Sequence, residues 1–136
     1  MPSKLRIYSD GGARGNPGPA AIGILICDEK GNELQDHKET IGDTTNNVAE
    51  YTAVIVGLEL AKKLGGQEIQ YFVDSELVAK QLTGQYKVKT PHIRTLYNQA
   101  KAQIGFFKKV SFTHVPREHE KLRLVDKLVN EALDGF

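Results

Sequence analysis

The period of the apolar positions changes several times along the chain, and each change marks a predicted element. Leu5, Ile7 and Tyr8 predict a strand from residue 4 to Asp10, and the glycines and prolines of residues 11–19 read as punctuation that stops it and reverses the chain. Residues 20–27 are apolar on both faces, which marks a central strand, and residues 28–32 form a turn. The more polar residues 32–41 suit an outer antiparallel strand that completes a meander. Residues 42–47 then supply capping side chains for a long helix from Val48 to about Leu64, ended by Gly65 and Gly66. Its apolar stripe runs through Ala53, Val54, Gly57, Leu58, Ala61 and Leu64, and Glu50 heads that stripe while Glu59 falls outside it.

Residues 68–73 predict a fourth strand, which ends at Asp74, and residues 75–82 a short helix with Glu76 in its first turn. Thr90 and Pro91 supply an N-cap and first helical position, after which Ile93, Leu96, Tyr97, Ala100 and Ile104 line one face of a helix ending near Gly105. Residues 106–114 predict a fifth strand, 115–120 a loop, and 121–133 a last helix with Leu122, Val125, Val129 and Ala132 inward. The order βββ, α, β, αα, β, α implies an α/β fold with a mixed sheet, its parallel crossovers right-handed.

A chain of 136 residues is long enough for one domain with a substantial core. A net charge of +1 leaves a nucleic-acid partner open, because local patches rather than totals bind phosphates. The single Cys27 excludes an internal disulfide and a cysteine-based zinc site, and it fits a reducing cytoplasm. No apolar leader and no run of roughly 18 uncharged residues occurs, so neither secretion nor membrane spanning is expected. Nothing points to an obligate protein partner or beyond a monomer.

Candidate chemistry begins with the strand-ending acids. A carboxylate at a strand tip either caps its own turn or projects toward something that wants negative charge. In a sheet of this order the first and fourth strands are parallel neighbours, so Asp10 and Asp74 emerge at one edge, where open α/β sheets place their ligands. Glu50 can lean over that edge, or it can serve simply as an acid favoured by the helix N-terminus. Asp126 lies at the border of the last helix's apolar stripe, as a fourth acid or as an exposed one. Like charges about 4 Å apart repel by roughly 4 kcal/mol at an effective dielectric near 20, so clustered acids need a cation. Oxygen ligands without cysteine or paired histidine select hard ions such as Mg²⁺, with Mn²⁺ able to substitute. Two such ions about 4 Å apart suit phosphodiester hydrolysis.

Tyr8-Ser-Asp10-Gly-Gly-Ala-Arg-Gly-Asn16-Pro-Gly-Pro19, Thr44-Thr-Asn-Asn47-Val-Ala-Glu50-Tyr, Val73-Asp74-Ser75 and Val125-Asp126-Lys-Leu-Val-Asn130 closely resemble, in order, the motif blocks of type 1 ribonuclease H. The resemblance implies an RNase H-like fold with sheet order 3-2-1-4-5, strand 2 antiparallel and helices on both faces. It also implies an endonuclease that cuts the RNA strand of RNA/DNA hybrids, leaving 5′-phosphate and 3′-hydroxyl ends, with Asp10, Glu50, Asp74 and Asp126 holding two Mg²⁺ ions. By the same resemblance, Gly11, Gly12, Ala13, Arg14, Gly15 and Asn16, with Asn46, Ser75 and Glu76, read 2′-hydroxyls on the RNA strand, and Thr45 holds a DNA phosphate. Asn46 and Asn47 also read as helix caps, and Lys87 and Lys89 as either phosphate contacts or solvated loop charges. Arg117 or His119 would supply the mobile basic residue that assists turnover in the family, while His114 would end its strand with a structural hydrogen bond. The loop before Asp126 is slightly longer than usual. Other readings are a silent hybrid-binding module and the same fold acting on double-stranded RNA. The segment of residues 82–90 is too short for the basic helix some relatives carry, and no hybrid-binding domain is expected before Lys4. Residues 1–136 are accordingly taken as a single domain that binds hybrid more weakly, and with more salt sensitivity, than relatives with those parts.

Overall fold

The computed structural model describes residues 3–135. The chain forms β1 (Lys4–Ala13), β2 (Gly18–Asp28), β3 (Glu33–Thr44), α1 (Asn46–Lys63), β4 (Glu68–Val73), α2 (Glu76–Leu82), α3 (Pro91–Ile104), β5 (Lys109–His114) and α4 (Glu120–Asp134). The sheet runs β3-β2-β1-β4-β5. β2 is antiparallel to both neighbours, whereas β1, β4 and β5 run parallel.

Alternation along the strands sends each side chain to one of two layers. Leu5 and Ile7 of β1, with Ile22, Ile24 and Ile26 of β2, pack against Tyr51, Val54 and Leu58 of α1 and join α2 and α3 in the larger core. Tyr8, Leu25 and Cys27 point the other way and meet Leu122 and Val125 of α4. Asp10 shares the parity of Tyr8, so its carboxylate belongs to the α4 side.

Two glycines let the helices come close. A methyl group on Gly11 would collide with the Ala49 backbone of α1, and one on Gly23 would collide with the Val125 carbonyl of α4. Gly23 is the cross-strand partner of Asp10. The contact that seats α4 is therefore beside the first acid.

Several boundaries differ from the sequence reading; α1 starts at Asn46 with Thr45 as its N-cap, so Asn46 and Asn47 lie inside the helix instead of capping it. The first strand does not stop at Asp10: Gly11, Gly12 and Ala13 continue the ladder opposite Ile22, Ala21 and Ala20. Glycine lacks strand propensity, but pairing with β2 outweighs it. The turn is confined to residues 14–17. β3 likewise runs past Ile41 to Thr44, pairing Asp43 with Pro19 and Thr44 with Gly18. β5 starts at Lys109 rather than residue 106. Phe106 is exposed beneath the Lys62 ammonium, 3.4 Å from the ring centre.

Candidate active site

Each acid is delivered by an element the sequence pattern specifies. Asp10 rides in β1 between paired neighbours and is only 5% exposed. Thr45 caps α1 by accepting the Val48 amide at 3.2 Å, and Glu50 follows in the second turn above the Gly11 backbone. Asp74 follows the last residue of β4, and the Ser75 hydroxyl behind it caps α2 by accepting the Val78 amide at 3.2 Å.

One carboxylate oxygen from each of Asp10, Glu50 and Asp74 lies within 4.8 Å of the others. Crowding and burial act together on their protonation. Burial, then the Asp74 charge, pushes Asp10 up to about 7. Burial and the neighbouring Asp10 charge raise Glu50 well above the usual carboxylate range. Asp74 is raised by burial, which the Arg117 guanidinium partly offsets. Glu50 Oε2 is buried with no hydrogen-bond partner. A buried, unpartnered carboxylate oxygen is costly unless a proton or cation meets it. The three acids therefore form an all-oxygen set that can hold a hard divalent cation.

Asp126 lies outside that group, at the edge of the same cleft of about 370 Å³, which is also lined by Gly11, Gly12, Ala13, Arg14, Asn46, Ser75 and Arg117. Its side chain is 41% exposed, and Arg117 Nη2 stands 3.8 Å from Oδ1. The Arg117 Nε is 3.9 Å from Asp74 Oδ2. Between the two loop candidates the geometry separates clearly. Arg117 bridges two acids, whereas the Nδ1 of His119 accepts the Lys121 amide at 3.1 Å and its ring stacks on Tyr8. His119 is the N-cap of α4 and does not line the cleft.

The remaining candidates divide in the same way. The Asn46 Oδ1 accepts the Ala13 amide at 2.8 Å, and the Asn46 amide donates to Asn16 Oδ1 at 2.9 Å, which locks the glycine turn to the start of α1. Gly15, Thr45 and Asn47 lie around this junction without lining the cleft. Glu76 is exposed and held by Lys80 at 2.9 Å. The His114 ring lies 4.0 Å from Glu76 and is exposed, so the structural hydrogen bond expected of it is absent among the described residues. Lys87 and Lys89 line a separate hollow with Tyr86, Arg94 and Tyr97.

The family model described as reverse transcriptase-like matches residues 8–132. A bifunctional protein of Mycobacterium tuberculosis is 42% identical over 133 residues, 97% of this chain and 36% of its own length. Its N-terminal RNase H domain superposes with a TM-score of 0.92, covering 97% of this chain and 94% of that one. The ribonuclease HI of Halobacterium salinarum is 42% identical over 131 residues, 96% of this chain and 65% of its own length. Its crystal structure superposes with a TM-score of 0.93 at 41% identity, over 98% of this chain and 99% of that one. The chain belongs to the ribonuclease H type 1 family. It spans between about a third and two thirds of the length of these curated relatives. A third family member, LC11-RNase H1, was solved in complex with an RNA/DNA hybrid; it is 44% identical, with a TM-score of 0.89 over 96% of each chain.

Asn130 and Asp134 have roles at the site that the sequence reading did not give them. Asn130 lines the cleft and Asp134 holds Arg14. The signal was present, because Asp126, Asn130 and Asp134 follow one another at four-residue spacing and so share a helix face.

Proposed function

We propose that this ribonuclease H chain hydrolyses the RNA strand of RNA/DNA hybrids. The observation that carries the proposal is the group of Asp10, Glu50 and Asp74 oxygens within 4.8 Å of one another, set in a cleft rimmed by strand and helix-start backbone. The hybrid seen in the LC11-RNase H1 complex supports the choice of duplex.

Asp10, Glu50 and Asp74, with Asp126 at the rim, are the residues that would hold two Mg²⁺ or Mn²⁺ ions. Bound there, divalent ions supply Lewis-acid stabilisation of the charge that develops on a phosphodiester. Water attacks phosphorus, the P–O3′ bond breaks, and the departing 3′ oxygen takes up a proton, leaving a 3′-hydroxyl and a 5′-phosphate.

The chain's own groups position the RNA strand. Locking Asn46 Oδ1 onto the Ala13 amide turns its side-chain amide nitrogen, unpartnered among the described residues, into a fixed donor. That donor and the Gly11–Ala13 backbone form the wall that reads 2′-hydroxyls, the one group that separates RNA from DNA at a given site. Arg117 offsets acid repulsion before substrate arrives. At 74% exposure it is free to follow the leaving 5′-phosphate. Lys87 and Lys89, in their own hollow, are assigned to duplex phosphates beyond the cleft.

The test is cleavage of end-labelled hybrid, RNA duplex and DNA duplex in Mg²⁺, Mn²⁺ or EDTA. Cutting of the hybrid's RNA strand alone, dependent on metal, is expected. Cleavage of RNA duplex at a similar rate would replace the substrate, and metal-tolerant binding without cleavage would make the chain a binding module.

A further inference from the structure

Arg14 sits in the turn of residues 14–17, yet its side chain does not reach across the cleft toward the acids. Its Nη1 pairs with Asp134 Oδ1 at 2.6 Å. Its Nη2 lies 3.4 Å from Asn130 Oδ1 and 3.5 Å from the Asn130 carbonyl oxygen. The Asn130 side-chain amide in turn donates to the Asp126 carbonyl oxygen at 3.1 Å. A polar chain therefore runs from the glycine turn down one face of α4 to the backbone of the fourth acid.

α4 needs such a fixture. Leu122, Val125 and Val129 form its buried seam, and Val125 rests on Gly23, a position with no side chain to key the helix against. On the flank toward β3 the ion pairs among the described residues are long, Lys38–Glu131 at 3.5 Å and Lys121–Glu33 at 3.7 Å. On the cleft flank the Arg14 contacts are shorter than the approach of Arg117 to Asp126 at 3.8 Å. Side-chain atoms ride about 6 Å from a helix axis, so a roll of about 10° displaces the Asp126 carboxylate by about 1 Å. Displacements of that size are enough to weaken a preorganised site.

We propose that Arg14, Asn130 and Asp134 form a clamp that sets the rotation of α4 and so seats Asp126 for metal binding, with Arg14 acting as a strut instead of a substrate contact. The inference rests on the reading of Asp126 as a metal-holding acid. Arg14, Asn130 and Asp134 are thus positioning residues.

The discriminating experiment compares Arg14→Ala, Asp134→Ala and the exchanged pair Arg14→Asp with Asp134→Arg. Two quantities are read on the full chain: the Mn²⁺ concentration giving half of the metal-induced rise in melting temperature, and hybrid affinity in EDTA as a function of salt. The clamp predicts that each single variant raises half-saturating Mn²⁺ by about threefold, the scale of one exposed ion pair. The exchanged pair recovers to within about twofold, and hybrid affinity and its salt slope stay unchanged. Equal loss from both partners with rescue by exchange is not expected of a phosphate contact. If Arg14→Ala alone weakens hybrid binding and lowers the salt slope by about one, Arg14 is a phosphate contact and the clamp is overturned. Unmoved Mn²⁺ dependence in both single variants overturns it as well. Should the wild-type chain take up Mn²⁺ and fail to cut hybrid, the nuclease reading falls while the Mn²⁺ comparison still decides the clamp.

Discussion

Asp10 and Asp74 stand on β1 and at the end of β4, and Glu50 on α1 over the larger core, whereas Asp126 stands on α4 over the smaller cluster on the other face. Asp10 is held by ladder pairing and Glu50 by the approach of α1 to Gly11, contacts that leave little freedom, and Asp74 directly follows the paired end of β4. Asp126 is held by polar contacts at the surface, with its side chain 41% exposed. The difference teaches that one wall of the cleft supplies charge density and the other supplies adjustment. A rigid wall can concentrate acids beyond what water would tolerate, because the fold resists their separation. An adjustable wall can admit substrate and release product.

The largest expected effect separates the two walls directly. Asp10→Asn should lower hybrid cleavage by on the order of 10³-fold, a loss typical of removing a charge aimed at the transition state. It should also raise the melting temperature in EDTA, since it removes a buried charge beside Glu50 and Asp74. Asp126→Asn should cost less, roughly 10- to 100-fold, with little change in melting temperature. Equal losses in single-turnover cleavage would erase the distinction between the walls.

Next in size is a change that touches no acid. Gly23→Ala should destabilise the fold by about 1–3 kcal/mol, as overpacking does, because the new methyl group meets the Val125 carbonyl. Denaturant unfolding measures that loss. The same variant should require more Mn²⁺ for half-maximal cleavage, as α4 is lifted with Asp126 upon it.

Acid crowding predicts a pH dependence for the metal-free protein. The folded chain holds the Asp10 proton up to about pH 7, against an ordinary value of 3.8 in the unfolded chain. Between those values unfolding releases a proton, so stability falls as the pH rises through the window. The penalty is absent below about pH 4 and complete above about pH 7. Because cation binding needs deprotonated ligands, Mg²⁺ should raise the melting temperature more at pH 8 than at pH 5.5. A metal-free melting temperature flat across this range would contradict the raised Asp10.

The smallest effect lies away from both walls. Lys87→Ala and Lys89→Ala should each weaken hybrid binding a few-fold and lower the slope of affinity against salt by about one where the lysine meets a phosphate. A slope unchanged in both would return these side chains to solvent.

The period of the apolar positions, with glycine, proline and capping residues marking the ends, was sufficient to place every strand and helix, although β2 is buried on both faces. Asp10, Glu50 and Asp74 were legible from the same pattern, being fixed to strand ends and a helix stripe whose partners follow from topology. Residues 115–119 carry no period, so the choice between Arg117 and His119 waited on geometry. The Arg14 contacts were also hidden. They join residues 116 and 120 positions apart through exposed side chains, and neither hydrophobic pattern nor local propensity reports such pairs.

The extension of β1 through Gly11–Ala13 has a mechanical meaning. A carboxylate on a fraying chain end could swing away from its neighbours and relieve their repulsion at small cost. Asp10 instead sits on a span anchored on either side, so the stress cannot leak out through the backbone. It persists until a proton or a cation discharges it, and the ribbon beyond the acid is what keeps the trap set.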